Sequence, residues 1–166
     1  YELYVKMIDD AVRVLKGEVE AAEPIEVKID LGMSMHIPQT YVDSEVVRLD
    51  LYKRISYLDS IEDIEDQLQE LEDRFGKPPK EVRALLYVSY MTKLAQKAGI
   101  SHITRTKGRT VFTYADLSGF SAKSLMKLPD SIGKRLSFSV KSTAELRLSG
   151  PSSLKEIDIM LENLIK

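Results

Sequence analysis

The sequence predicts an α+β fold, with a helical middle section and a small mixed or antiparallel sheet formed by an N-terminal strand and C-terminal strands. Three observations support this. Apolar residues alternate with charged ones over residues 25–31, helical periodicity fills residues 43–98, and strand-forming residues dominate 100–114 and 136–148. Because the strands cluster without regular βαβ alternation, an α+β fold is favoured over a doubly wound sheet.

The chain opens with an amphipathic pattern over residues 1–17 that predicts a helix ending at Gly17. An acidic linker, residues 18–24, separates it from the first predicted strand, in which Ile25, Val27, Ile29 and Leu31 share one side. We therefore expect residues 1–17 to form a connecting helix and residues 18–166 to form a single domain, with a possible sub-boundary near residue 99.

Three helices are predicted in the middle of the chain from their start and stop signals. Asp43 or Ser44 caps the first, and Ser60 with Asp63 resembles a capping box at the start of the second. Gly76 ends that second helix. Pro78 and Pro79 then lead into a long third helix that stops at Gly99.

The C-terminal third is predicted to hold four strands and two helices. Lys107 and Gly108 lie between two strand-like runs, as in a β-hairpin. A short helix is expected over residues 121–128, strands over 136–140 and 144–148, and a last helix that begins with the Ser153 and Glu156 box.

Composition excludes several kinds of chemistry. The 166 residues include no cysteine, so disulfides, thiol catalysis and cysteine-ligated metals are absent. His36 and His102 have no partner at metal-ligand spacing, and no phosphate-binding glycine loop or nucleophile elbow occurs. We expect no metal, no cofactor and no independent catalytic activity. No apolar run is long enough to cross a bilayer, which indicates no membrane partner and a cytoplasmic protein.

Charge is distributed very unevenly along the chain. Residues 1–76 contain 8 Lys and Arg against 19 Asp and Glu, whereas residues 77–147 contain 14 against 4. In the second predicted helix, four carboxylates recur three or four positions apart on the face opposite the apolar stripe: Glu62, Asp66, Glu70 and Asp73. A basic partner would relieve their mutual repulsion, so this acidic face is a candidate binding surface. A solvated face that only keeps the chain soluble remains the alternative.

The basic half offers a second hypothesis. Arg105, Lys107 and Arg109 surround the predicted hairpin turn, and Phe112 and Tyr114 follow it. Cations beside aromatic rings are typical of a groove that binds nucleic acid. The alternating positions of a strand could equally bury both rings.

Several short motifs, in order, resemble the C-terminal domain of the bacterial transcription-repair coupling factors. They are Tyr1-Glu-Leu-Tyr4, the strand at 26–31, Ile37-Pro38 with Tyr41, the run Arg48 to Ile55, Leu71 with Asp73-Arg74-Phe75-Gly76, Pro79, and Ala98-Gly99-Ile100. These motifs cover roughly residues 1–100. Within the run from Arg48 to Ile55, Lys53 and Arg54 could be solvated, paired with nearby acids or in contact with a partner.

The resemblance implies a non-catalytic regulatory domain of an ATP-dependent DNA translocase that displaces stalled RNA polymerase and acts in nucleotide excision repair. Residues 1–17 would connect it to the motor. In that family the domain packs on a UvrB-like N-terminal module of the same protein and masks the surface that binds UvrA, which is autoinhibition. Matching positions nominate Glu70 and Asp73 as contacts, whereas Phe75 belongs to the apolar stripe.

Overall fold

The structure, a computed structural model, describes residues 24–165. The predicted connecting helix over residues 1–17 therefore lies outside the described residues. The described chain begins with a short strand, β1 (Lys28–Asp30), followed by three helices: α1 (Glu45–Ile55), α2 (Ile61–Phe75) and α3 (Lys80–Ala98). The predicted alternation over residues 25–31 is present in the burial pattern, but only Lys28–Asp30 pair as a strand.

Side-chain caps begin the first two helices as predicted. The Ser44 hydroxyl accepts a hydrogen bond from the Val47 amide, and the Ser60 hydroxyl accepts one from the Asp63 amide at 3.0 Å. The second cap differs from a full capping box, because the Asp63 carboxylate accepts from the Asp59 amide instead of the Ser60 amide. Helix α3 ends at Gly99, whose φ of 78° is the left-handed conformation that glycine adopts at low cost.

The C-terminal third contains four strands and three short or medium helices. A hairpin joins β2 (Ile100–Thr106) to β3 (Arg109–Tyr114) through Lys107 and Gly108, both at positive φ, as the sequence predicts. The single helix expected over residues 121–128 is shorter, α4 (Ala122–Leu125), and α5 (Asp130–Gly133) follows Pro129. The remaining elements are β4 (Leu136–Val140), β5 (Ala144–Ser149) and α6 (Leu154–Ile165).

The five strands form one mixed sheet in the order β1-β2-β3-β5-β4. β1 runs parallel to β2, and the other pairs are antiparallel. A parallel pair needs a long crossover, and α1, α2 and α3 supply it between β1 and β2. The predicted α+β class is confirmed.

The core lies between the sheet and the helices. Ile103, Phe112 and Leu146 face one another across β2, β3 and β5 and are fully buried. Helices α3 and α6 pack together, and α2 packs on α3. Helix α2 is thereby held on the outside of the helical layer, with one side free for solvent.

Candidate functional site: the acidic face of helix α2

The orientation of α2 is set by an apolar stripe along one side of the helix. Ile64, Leu68 and Leu71 are buried, and Gln67 beside them is nearly so. Ser60 fixes the start of the helix, and Gly76 ends it. Because the stripe faces the core, the opposite side of the helix faces solvent.

The four predicted carboxylates, Glu62, Asp66, Glu70 and Asp73, are all exposed on that solvent side. The helix as a whole carries seven carboxylates and one cation, Arg74. Like charges at this spacing destabilise a helix by a few tenths of a kcal/mol per pair. The predicted acidic face is therefore a real surface of the molecule, and it is strongly negative.

Glu70 lies at the edge of the face that meets α1. Its Oε1 is 3.4 Å from Nη1 of Arg54 and 3.7 Å from Nη1 of Arg74. Arg54 also pairs with Asp50, one turn earlier on α1, at 3.0 Å. All of these side chains are about half exposed, so each pair contributes roughly 0–1 kcal/mol. A partner cation could take the place of Arg54 at little cost.

The other three carboxylates are less engaged. Asp73 accepts a hydrogen bond from the Gln69 side-chain amide at 3.0 Å. Among residues 24–165, Glu62 and Asp66 form no ion pair. Most of the negative charge on the face is thus left without a cation from the described part of the chain.

The opposite edge of α2 contacts α6 through an exposed ion pair. Lys155 Nζ lies 2.5 Å from Oε1 of Glu65, and this carboxylate raises the pKa of Lys155. At the end of the helix, Phe75 packs edge-on against Tyr41, and the Arg74 guanidinium lies 4.8 Å from the Phe75 ring centroid. Phe75 is half-buried, in agreement with its predicted place in the apolar stripe.

The structure of the basic hairpin is less suited to binding nucleic acid than its sequence suggests. Phe112 and Tyr114 are only 0% and 4% exposed, so neither ring is available to stack on a base. Arg105 donates a hydrogen bond to the Ser152 carbonyl at 2.8 Å and is committed to the fold. Lys107 and Arg109 remain exposed.

Neither histidine contributes to a metal site in the part of the chain that the structure describes. No group of three or more His, Cys, Asp or Glu side chains there could hold a metal ion. His36 borders an open surface depression near Tyr41, and His102 contacts the Ser101 hydroxyl. Within residues 24–165, no helix is long and apolar enough to span a membrane.

Two features of the structure were not predicted from the sequence. Val46 and Leu49 are 77% and 62% exposed on α1. The sequence does contain a signal for their exposure, because neither residue has the helical spacing that would place it on the buried side with Leu51 and Ile55. Asp158 is fully buried on α6, where burial, together with the charge of Glu162, raises its pKa to about 8.

Comparison with known proteins identifies the family of this chain. The model of the TRCF domain family matches residues 31–125, which include all three middle helices and the hairpin. The chain belongs to the TRCF domain family. The resemblance to transcription-repair coupling factors drawn from the motifs is confirmed.

Three curated relatives of this TRCF domain carry the name transcription-repair-coupling factor. The Bacillus subtilis protein is 26% identical over 167 residues, which is 99% of this chain and 14% of the relative. The Mycobacterium tuberculosis protein is 30% identical over 82% of this chain and 11% of its own length. The Helicobacter pylori J99 protein is 32% identical over 76% of this chain and 13% of its own length. The chain thus spans about a seventh or less of these relatives.

A solved structure gives the same fold. The crystal structure of the C-terminal domain of transcription-repair coupling factor superposes with a TM-score of 0.67 at 21% identity. The match covers 85% of this chain and 92% of the other. The α+β architecture described above is therefore that of the TRCF domain.

Proposed function

We propose that this TRCF domain is a non-catalytic regulatory domain that packs, through the acidic face of α2, on a basic surface of a UvrB-like N-terminal module in the same protein. The packing masks the UvrA-binding surface of that module until the protein engages RNA polymerase and DNA. The parent protein would be an ATP-dependent DNA translocase in transcription-coupled nucleotide excision repair. Residues 18–166 would act as the regulatory unit, with residues 1–17 connecting it to the motor.

The observation that supports this proposal is the exposure of Glu62, Asp66, Glu70 and Asp73 on one side of a helix whose other side is fixed to the core. A surface of this kind attracts a basic partner at long range and fixes its orientation on contact. Membership of the TRCF domain family supports the proposal, because this chain spans only 14% of the Bacillus subtilis relative, whose length leaves room for such a partner in the same polypeptide.

The nucleic-acid alternative receives less support. Its stacking aromatics are buried, and one of its three cations, Arg105, is bonded to the Ser152 carbonyl. Lys107 and Arg109 alone would give weak contacts to phosphate groups, without sequence preference.

Direct binding tests the proposal. The purified chain is titrated with the isolated UvrB-like module at about 50, 150 and 300 mM salt. The Debye length is ~10 Å at 0.1 M, so this series spans weak to strong screening of the charges. Affinity should fall as salt rises. Reversing Glu70 and Asp73 to Lys should weaken binding at least about tenfold at 150 mM salt, which is about 1.4 kcal/mol. The physical reason is that both carboxylates lose a favourable contact and gain a repulsive one.

A matched control separates a local effect from a change in total charge. Glu26→Lys with Asp130→Lys changes the net charge by the same amount at exposed positions outside α1 and α2. This control should bind almost as the unmodified chain does. Equal weakening by both double variants would show that general charge, and not the face of α2, drives association, and would contradict the proposal.

A further inference from the structure

Helix α1 exposes two large apolar side chains on the side that does not face the core. Val46 is 77% exposed and Leu49 is 62% exposed, whereas Leu51 and Ile55 on the inner side are buried. Residues three apart on a helix are neighbours on its surface, so Val46 and Leu49 form one apolar patch. Single exposed apolar residues are ordinary on a protein surface, but an adjacent pair on one helix indicates a candidate contact surface.

Two polar residues of α1, Asp50 and Arg54, lie between this patch and the acidic face. Asp50 lies one turn after Val46 on α1, and its carboxylate is bonded to Arg54 at 3.0 Å. Arg54 in turn reaches Glu70 on α2 at 3.4 Å. On α1, the row Val46, Asp50 and Arg54 therefore leads from the patch to the Glu70 edge of the acidic face.

We propose that the docking surface of this domain extends from the acidic face of α2 onto α1, where Val46 and Leu49 form its apolar part. The occupant is the same basic module, which would present an apolar side chain among its cations. This inference rests on the proposed function and names the chemistry of the partner's surface. Protein interfaces commonly combine an apolar centre with a charged rim, and the neighbouring α1 and α2 surfaces supply both.

Charge complementarity favours a basic partner over a second copy of this chain as the occupant of the surface. A second copy of this chain on the patch would bring the seven carboxylates of α2 close to an equally acidic helix. Like charges placed together across an interface oppose association. A basic partner meets favourable charge at Glu70 and Asp73 and buries the apolar pair in the same contact.

The test uses substitutions on α1 and measures affinity for the isolated UvrB-like module. Leu49→Gln should weaken binding at least about fivefold, and Val46→Thr combined with it should weaken binding further. Because an apolar contact is not screened by salt, the fold loss for Leu49→Gln should persist from 150 to 500 mM salt. The loss caused by reversing Glu70 and Asp73 should shrink over the same range.

Two controls complete the design. Met126→Gln changes a side chain that is 86% exposed, just after α4 on another part of the surface, and should leave affinity unchanged. Leu49→Met keeps an apolar side chain and should bind nearly as the unmodified chain does. Far-ultraviolet circular dichroism should show the same fold for all variants, since both α1 positions are exposed.

The possible failures are distinguishable. If Leu49→Gln binds like the unmodified chain while the Glu70 and Asp73 reversal weakens binding, the surface stops at α2 and the inference is wrong, but the proposed function stands. If neither change weakens binding, the proposed function itself is wrong. A Met126→Gln variant that loses as much affinity as Leu49→Gln would also overturn the inference.

Discussion

Asp158 provides the sharpest prediction about stability. Its side chain is fully buried on α6, and neither carboxylate oxygen has a hydrogen-bond partner among the described residues. The charged neighbour that acts on it is also an acid, Glu162 on α6, which accepts a hydrogen bond from Tyr90 on α3 at 3.1 Å. Burial raises the pKa of Asp158 from 3.8 to about 8, and the charge of Glu162 acts in the same direction.

The sign of the pH effect follows from the raised pKa. Between 3.8 and about 8 the folded protein holds a proton that the unfolded chain has released, so the free energy of unfolding falls as pH rises through this window. Each pH unit inside the window costs about 1.36 kcal/mol. Between about pH 5 and pH 8 the loss from this one group is about 3 to 4 kcal/mol, a large share of a typical domain's stability of about 5–15 kcal/mol.

Asp158→Asn removes the titrating group and keeps its shape. Urea unfolding followed by circular dichroism at pH 5 and pH 8 gives the free energy of unfolding of both proteins. The variant should gain about 3 to 4 kcal/mol relative to the unmodified chain on going from pH 5 to pH 8. Asp43→Asn, at an exposed carboxylate, serves as the control and should show no comparable gain.

A small result would refute this reasoning. If the relative gain of Asp158→Asn between the two pH values is under about 1 kcal/mol, the ionised carboxylate is accommodated in the fold by water or a cation, and the burial argument fails.

Two further predictions follow from the contacts. Arg135 donates to the Ser149 and Pro151 carbonyls and pairs with Glu156 at 2.5 Å. Arg135→Ala should therefore lower the free energy of unfolding, measured by urea titration, by about 2–3 kcal/mol. The control Lys134→Ala, at an exposed neighbouring residue, should change it by less than about 0.5 kcal/mol. The chain should bind duplex DNA only weakly when binding is measured by fluorescence anisotropy. Lys107→Ala with Arg109→Ala should remove most of the salt dependence of that binding. Micromolar or tighter binding at physiological salt would favour the nucleic-acid alternative.

Local signals explain most of what the sequence predicted correctly. Ser44, Ser60 and Ser153 cap the helices that follow them, because a cap depends on residues within one turn. The hairpin at Lys107 and Gly108 was predictable for the same reason. The exposure of the acidic face was predictable too, since the apolar stripe of α2 determines which side faces outward.

Features that depend on distant contacts were not predictable. The parallel pairing of β1 with β2 joins segments separated by three helices, and no local pattern specifies it. The Arg54 to Glu70 pair likewise depends on how α1 and α2 pack. Asp158 lies next to the apolar stripe of α6, and its burial depends on how α3 and α6 pack, which no local pattern specifies.

The measurement that tests the central proposal most directly is the affinity of the full-length parent protein for UvrA. If this domain masks the UvrA site, reversing Glu70 and Asp73 to Lys should raise that affinity without unfolding the domain, because both side chains face away from its core. Weakening the masking contact by about 1.4 kcal/mol shifts the closed-to-open ratio about tenfold, and deleting the domain should raise affinity as much or more. Unchanged UvrA affinity after deletion would contradict the masking role altogether.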